Sequence, residues 1–197
     1  MILLSDYLIQ PKTKKAYGGR NMFDVFRNYY DEFLSALLEH IEISFIAIVT
    51  AIVLAIFVTI FLNFYKEFSH VTIYLFSLMY AIPSFALFAL LIPITGLGQT
   101  TAIIVLVIYA QYILVRTFLS GLSQVDKHVI EAAKAMGMTK WQILLKVQFP
   151  LAQKSFFAGL RLASTAIIAI ATIGATINAG GLGVILFDGL RTMNLTK

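Results

Sequence analysis

Four stretches of this chain carry almost no charge, and they set its architecture. Residues 43–65 hold 23 positions without one Asp, Glu, Lys or Arg. At about 1.5 Å rise per residue, a helix of that length reaches about 34 Å, enough to cross a bilayer's hydrocarbon layer. Residues 71–94 form a second uncharged run, with Pro83 near its middle and Pro93 at its end. Pro83 removes the intrahelical donor to the carbonyl of Met79 and predicts a kink, with the hydroxyl of Ser84 as the nearest group to satisfy the site. Residues 100–119 form the third run, with Gln111 inside it and Arg116 near one end, from where a long side chain snorkels to the headgroups. Residues 156–177 form the fourth and carry Arg161. Here Gly159 and Ala163 are four apart, as are Ala171, Ala175, Ala179 and Gly183. Small residues at that spacing let helices approach closely, so this span is expected inside the bundle. Upstream, Phe23, Phe26, Tyr30, Phe33, Leu37 and Ile41 recur at steps of three and four. That stripe predicts a helix lying at the membrane surface and leading into the first span. The expected organisation is an amphipathic segment over 1–42 and a membrane domain over 43–197.

Composition agrees with this pattern. Hydrophobic residues make up 59% of the chain and charged ones 13%, against about 25% charged in soluble domains, and the mean hydropathy is +0.86. The expected fold class is therefore an all-α membrane protein, a polytopic helical bundle. The net charge of +5 matters less than its placement. From Arg116 to Arg161 there are seven Lys or Arg and two acids, which predicts a cytoplasmic loop at 120–155. Three spans before that loop put the N-terminus outside. Lys12, Lys14, Lys15 and Arg20 lie beyond about 20 residues from the first span, where the rule weakens. The start of the chain has no apolar run of signal-peptide length.

The polar loop carries the informative motif. Glu131, Ala132 and Ala133 are followed by three residues and Gly137, then nine residues and Val147-Gln148-Phe149-Pro150. Gly137 is suited to end a helix with a positive φ, and Thr139 to cap the next one. Pro150 disfavours helix at Phe149, so a helix–turn–helix elbow is expected, ending before the last span. The spacing resembles the EAA motif of the permease subunits of binding-protein-dependent ABC importers, with Val147 and Phe149 replacing the motif's Ile and Leu. The resemblance covers roughly residues 43–195. It implies a transmembrane domain of the ABC importer type, of which four spans are present where the family normally has five, the chain stopping at Lys197. It also implies that Glu131, Ala132, Ala133, Gly137, Val147, Phe149 and Pro150 form the element that couples to the ATPase.

Residues 81–87 around Pro83 and Ser84, and the turn holding Gly96 and Gly98, resemble the osmoprotectant branch, which carries glycine betaine, carnitine and choline. Asn178, Gly180, Gly181 and Gly183 lie in a stretch similar to that branch's glycine-rich external loop, a loop the methionine importers share. With Gln111, these residues are the candidates for the pathway and its gating. The implied partners are two ABC ATPase subunits, a second permease copy, identical or related, an external or lipid-anchored binding protein and the lipid bilayer. The implied location is the bacterial cell membrane, crossed several times. Nucleic acid is not expected.

Catalytic chemistry finds no support in the sequence. No phosphate-binding G-x-x-x-x-G-K-[ST] loop occurs, so ATP hydrolysis is expected on a separate chain. Gly96, Gly98, Gly180, Gly181 and Gly183 sit in membrane-edge turns and read as turn glycines, not nucleotide loops. His40, His70 and His128 lack ligand spacing and are expected at the surface, so neither metal nor other cofactor is expected. There is no cysteine. The alternatives are a permease for methionine or another small amino-acid-like substrate, a membrane-embedded transferase, for which the spans offer too few ionisable groups, and an assembly protein without transport.

Overall fold

A computed structural model describes residues 30–192. The N-terminal stripe positions Phe23 and Phe26 lie outside the described residues. The chain divides by internal contacts at Glu32, and the bundle is the unit that begins at Phe33. Its elements are α1 (Tyr30–Phe64), a 3-10 turn (Lys66–Phe68), α2 (Ser69–Ala81), α3 (Ser84–Thr95), α4 (Gln99–Ser123), α5 (Lys127–Ala135) and α6 (Lys140–Ile143). A π-helical turn (Leu144–Gln148), α7 (Phe149–Ile173), a 3-10 turn (Gly174–Ile177) and α8 (Leu182–Thr192) complete it.

The helix α4 is the axis of the bundle. Its apolar window is 56% buried, against 28% for α1 and 22% for the segment Lys140–Ile177. One face of α4 receives α7, where Gly159 lies against Thr117 and Phe118, and Phe118 meets Phe156 edge-on at 4.8 Å. The small-residue stripe expected on the fourth span is the buried one: Ala152, Gly159, Ala163, Ile167 and Ala171 face inward. A second such stripe lies on α1, where Ala36, His40, Ser44, Ala47, Ala51, Ala55 and Thr59 are buried. Short side chains on both helices let neighbouring backbones come close, and Ile43, Leu62 and Ile167 are the large residues buried beside them. Phe33 and Ile41, read from the sequence as a surface-binding stripe, are exposed on a helix that runs unbroken through positions 42 and 43. At about 1.5 Å per residue α1 is roughly 52 Å long, so its first turns extend beyond a hydrocarbon layer about 30 Å thick.

The second run is not one kinked helix. It is two short helices bent by 98° at Ile82 and Pro83. Ile82 has ψ 129° and Pro83 ψ 135°, so two consecutive residues leave the helical region. The pyrrolidine ring disfavours helix at the residue before it, which makes a break the outcome here. The expectation for Ser84 also needs correction. The carbonyl of Met79 accepts from the N–H of Ile82, and the orphaned carbonyl is that of Ile82, to which the Tyr109 hydroxyl on α4 donates. The pair still follows α4 in order. Tyr80 stacks near Tyr112 and Tyr109, Leu87 and Phe88 pack with Ala102 and Val105, and Thr95 meets Thr101. These contacts run along α4 from Tyr112 to Thr101. Among the described residues three helices are long and apolar enough to cross a membrane, and the number is four when this bent pair is taken as one span.

Candidate functional site

The sequence-predicted residues fall into three places. The first is the polar elbow. Asp126 caps α5 by accepting the N–H of His128 at 2.8 Å. The helix ends in a Schellman motif: Met138 N–H donates to Ala133 O at 3.1 Å and Gly137 N–H to Lys134 O at 2.9 Å. Gly137 has φ +80°, and no atom stands within 4 Å of where a Cβ would lie, so the glycine is required by the backbone and not by crowding. Thr139 then opens α6 in a capping box with Gln142, each reaching the other's backbone N–H. Of the motif, Ala133 is buried against the bundle, and Glu131 and Ala132 are exposed. Glu131 lies 3.9 Å from His128 on the outer face of α5. The elbow is anchored to the end of α1 by Trp141 on Phe64, with ring centroids 4.7 Å apart.

The end of the elbow differs from expectation. Phe149 is helical, at φ −60° and ψ −50°, and the chain stays helical from Lys140 through Pro150 into α7. The π turn at Leu144–Gln148 absorbs the missing proline N–H by widening the helix, so Pro150 sits at the start of α7 without a break. Val147 and Gln148 lie within that turn. The second helix of the elbow is thus continuous with α7.

The second place is the opposite end of the bundle. There the turn at Gly96 and Gly98 meets the glycine-rich loop. A Cβ on Gly98 would lie 3.9 Å from the carbonyl oxygen of Asn178. Asn178 (φ 64°), Gly180 (φ 85°) and Gly181 (φ 79°) all take left-handed conformations. The loop is clasped by α1: the carboxylate of Glu39 accepts the N–H of Gly181 at 3.0 Å, at the start of α8, where a carboxylate also complements the helix dipole. His40 is buried against the same glycine, which corrects its expected surface position. Gly183 packs on the C-terminal turns of α7, and a Cβ there would overlap the carbonyl of Thr172. Glu39, His40 and α8 were not anticipated from the sequence. The four-residue repeat of small residues that runs through His40 on α1 is the signal that could have placed the histidine inside.

The third place is the interior. Pro83 and Ser84 sit at the break beside Tyr80 and Tyr109. Gln111 is enclosed between α4 and α1, donating its amide to the carbonyl of Ala51 at 3.1 Å, and its own Oε1 has no partner. It faces α1. Among the described residues no cluster of His, Asp or Glu could hold a metal.

Residues 47–197 match the family described as the binding-protein-dependent transport system inner membrane component. The carnitine transport permease protein OpuCB of Listeria monocytogenes is 38% identical over 78% of this chain and 70% of its own length. The ergothioneine transport permease/ergothioneine binding protein EgtU of Helicobacter pylori is 44% identical over 60% of this chain, and the match spans 21% of that protein. A chain from an inward-facing structure of the MetNI methionine ABC transporter superposes with a TM-score of 0.73 at 22% identity, covering 79% of each chain. That likeness shows the shared helical fold.

Proposed function

This chain belongs to the family of binding-protein-dependent transport inner membrane components, and from that premise we propose that it is the permease subunit of an ATP-driven importer for quaternary-amine osmoprotectants. The observation that carries the mechanism is the elbow. A short helix closed at both ends by Asp126 and the Schellman turn presents Glu131 and Ala132 outward, and it runs through one tight turn into a continuous helix. Force applied to α5 is passed through the capped turn to α6 and α7 without a flexible joint. α7 lies along α4, the axis of the bundle, so displacement of the elbow moves the packed core. Two ATPase subunits, closing on ATP, would drive the elbows of two permease copies together and reorient the spans.

Orientation follows from charge. The elbow face carries Lys66, Lys127, Lys134, Lys140, Lys146 and Lys154 and is the cytoplasmic one. The Glu39–Gly181 clasp and the turn at Gly98 then face outside, where a binding protein would deliver substrate. The pathway candidates Gly96, Gly98, Asn178, Gly180, Gly181 and Gly183 all belong to that outer end, and Pro83 with Ser84 lies deeper. Relatives named for carnitine and ergothioneine support a betaine-type substrate, a trimethylammonium group carried with a carboxylate. Aromatic rings in the binding protein would hold such a cation. The test is the ATPase rate of the reconstituted complex with binding protein loaded in turn with carnitine, glycine betaine, choline, ergothioneine or methionine. Stimulation by quaternary amines is expected. Stimulation by methionine alone would overturn the substrate class.

A further inference from the structure

Two hollows lie one above the other along the last turns of α1. The upper has a volume of about 240 Å³ and is walled almost entirely by Ile, Leu and Phe, among them Ile52, Ile56 and Ile60 of α1, with Leu145 and Phe149 facing them. The lower, of about 450 Å³, is lined by Asn63 and Lys66 from the end of α1 and the turn after it, by Lys134 of α5, and by Lys140 and Gln148. Ile60 and Asn63 are one helical turn apart, about 5 Å along the axis. The π turn and its flanks supply a wall to both, with Leu144 and Leu145 above and Ile143 and Gln148 below.

The chemistry of the two hollows differs sharply. The lower one has three lysines and a single acid, Glu67, and among the described residues none of the three makes an ion pair. Tyr65 flanks it, a residue type that favours the membrane–water interface. The upper one has an exposed rim of Ile56, Leu145 and Phe149, so it opens sideways where a bilayer's hydrocarbon would lie. Water does not fill an apolar hollow of this kind. A free phosphate would satisfy only the lysines, and so would an acidic segment of a partner protein. A neutral lipid tail would satisfy only the upper hollow. An amphiphile with an anionic head and an acyl tail fits both at once.

We propose that this double groove binds one anionic glycerophospholipid from the leaflet on the elbow side, its phosphate among Lys66, Lys134 and Lys140 and one acyl chain between α1 and the π turn. The three lysines come from three different elements: the turn after α1, the end of α5 and the start of α6. One headgroup therefore ties the elbow to the first loop, and the charge of the leaflet becomes a determinant of where the coupling helix sits. The site does not depend on which substrate is carried.

The full chain is purified, placed in nanodiscs of phosphatidylcholine with a minor share of phosphatidylglycerol, and the lipid retained after detergent extraction is measured by native mass spectrometry. Wild type is expected to retain phosphatidylglycerol in preference to phosphatidylcholine. Combined Lys66→Gln, Lys134→Gln and Lys140→Gln, all at exposed positions, is expected to lower that preference by on the order of a hundredfold, since each basic group near an anionic surface adds about a fivefold gain. Ile56→Trp, which fills the upper hollow and leaves every charge in place, should lower it too. Soluble glycerol phosphate should not compete. Equal retention of the two lipids by wild type overturns the proposal, and so does unchanged retention by the lysine variant. Unchanged retention by Ile56→Trp, or competition by glycerol phosphate, shows an anion site without an acyl chain and overturns it as well. If the lysine changes weaken ATPase assembly with lipid retention intact, the occupant is a protein.

Discussion

Replacing Gly137 with alanine isolates one term in the coupling elbow. The glycine sits at φ +80° with empty space around its would-be Cβ, so the substitution brings no clash and the cost is conformational. A left-handed backbone costs an L-residue with a Cβ roughly 1–2 kcal/mol. The alternative is to abandon that conformation, which gives up the two bonds to the carbonyls of Ala133 and Lys134. Each is worth about 1 kcal/mol net, so both routes lead to a similar figure. Since about 1.4 kcal/mol is tenfold in an equilibrium, the fraction of elbows in the docking-ready shape should fall by roughly 5–30-fold relative to its alternatives. Asparagine tolerates the left-handed region better than alanine and should recover most of the loss. The readout is ATP hydrolysis by the assembled complex, stimulated by ligand-loaded binding protein, beside the melting temperature of the permease alone. Stimulated hydrolysis should rank glycine, asparagine, alanine, valine, with melting almost unmoved because no bundle contact changes. Parent-like hydrolysis by Gly137→Ala, or equal damage by asparagine and alanine, would refute the reasoning.

Other outcomes follow from the remaining contacts. Gly183→Ala must push α8 off the Thr172 carbonyl and Ala175, so yield and melting temperature should both drop, unlike at Gly137. Gln111→Leu gives up an interhelical bond of about 0.6 kcal/mol but also removes a buried oxygen without a partner, so its stability should stay within about 1 kcal/mol of wild type, with transport retained. A folded Gln111→Leu that cannot transport would place that side chain in the pathway instead. Glu39→Ala strips the acceptor from Gly181 N–H and should cost about 1 kcal/mol, read as earlier melting, with Glu39→Gln retaining part of it. A cysteine at position 140 should resist an impermeant thiol reagent in intact cells, and labelling from outside would reverse the proposed topology.

Much of this protein is legible along the chain, and the boundary of what is legible has a physical basis. The crossing segments follow from runs without charge, because a bilayer excludes charge wherever it occurs in the sequence. The elbow follows from Gly137 and Thr139, because caps and left-handed turns are settled within a few residues of themselves. The small-residue stripe of α7 is also local, a repeat every four residues that any packed helix would use.

What escaped the sequence depends on partners far away in it. Pro83 dictates that a carbonyl will be orphaned, but a break of 98° persists because Tyr109, 26 residues on, is there to satisfy Ile82. Glu39 and His40 look like the polar lead-in to a span until the loop 142 residues later closes on them. Gln111 reads as a lone amide inside a span until α1 brings the carbonyl of Ala51 to it. Pro150 predicts a helix stop in isolation, and the π turn that absorbs it is held by Ile143 and Leu144, buried against the bundle. Local propensity sets which groups lose a hydrogen bond, and only the packing of distant helices decides which neighbour restores it.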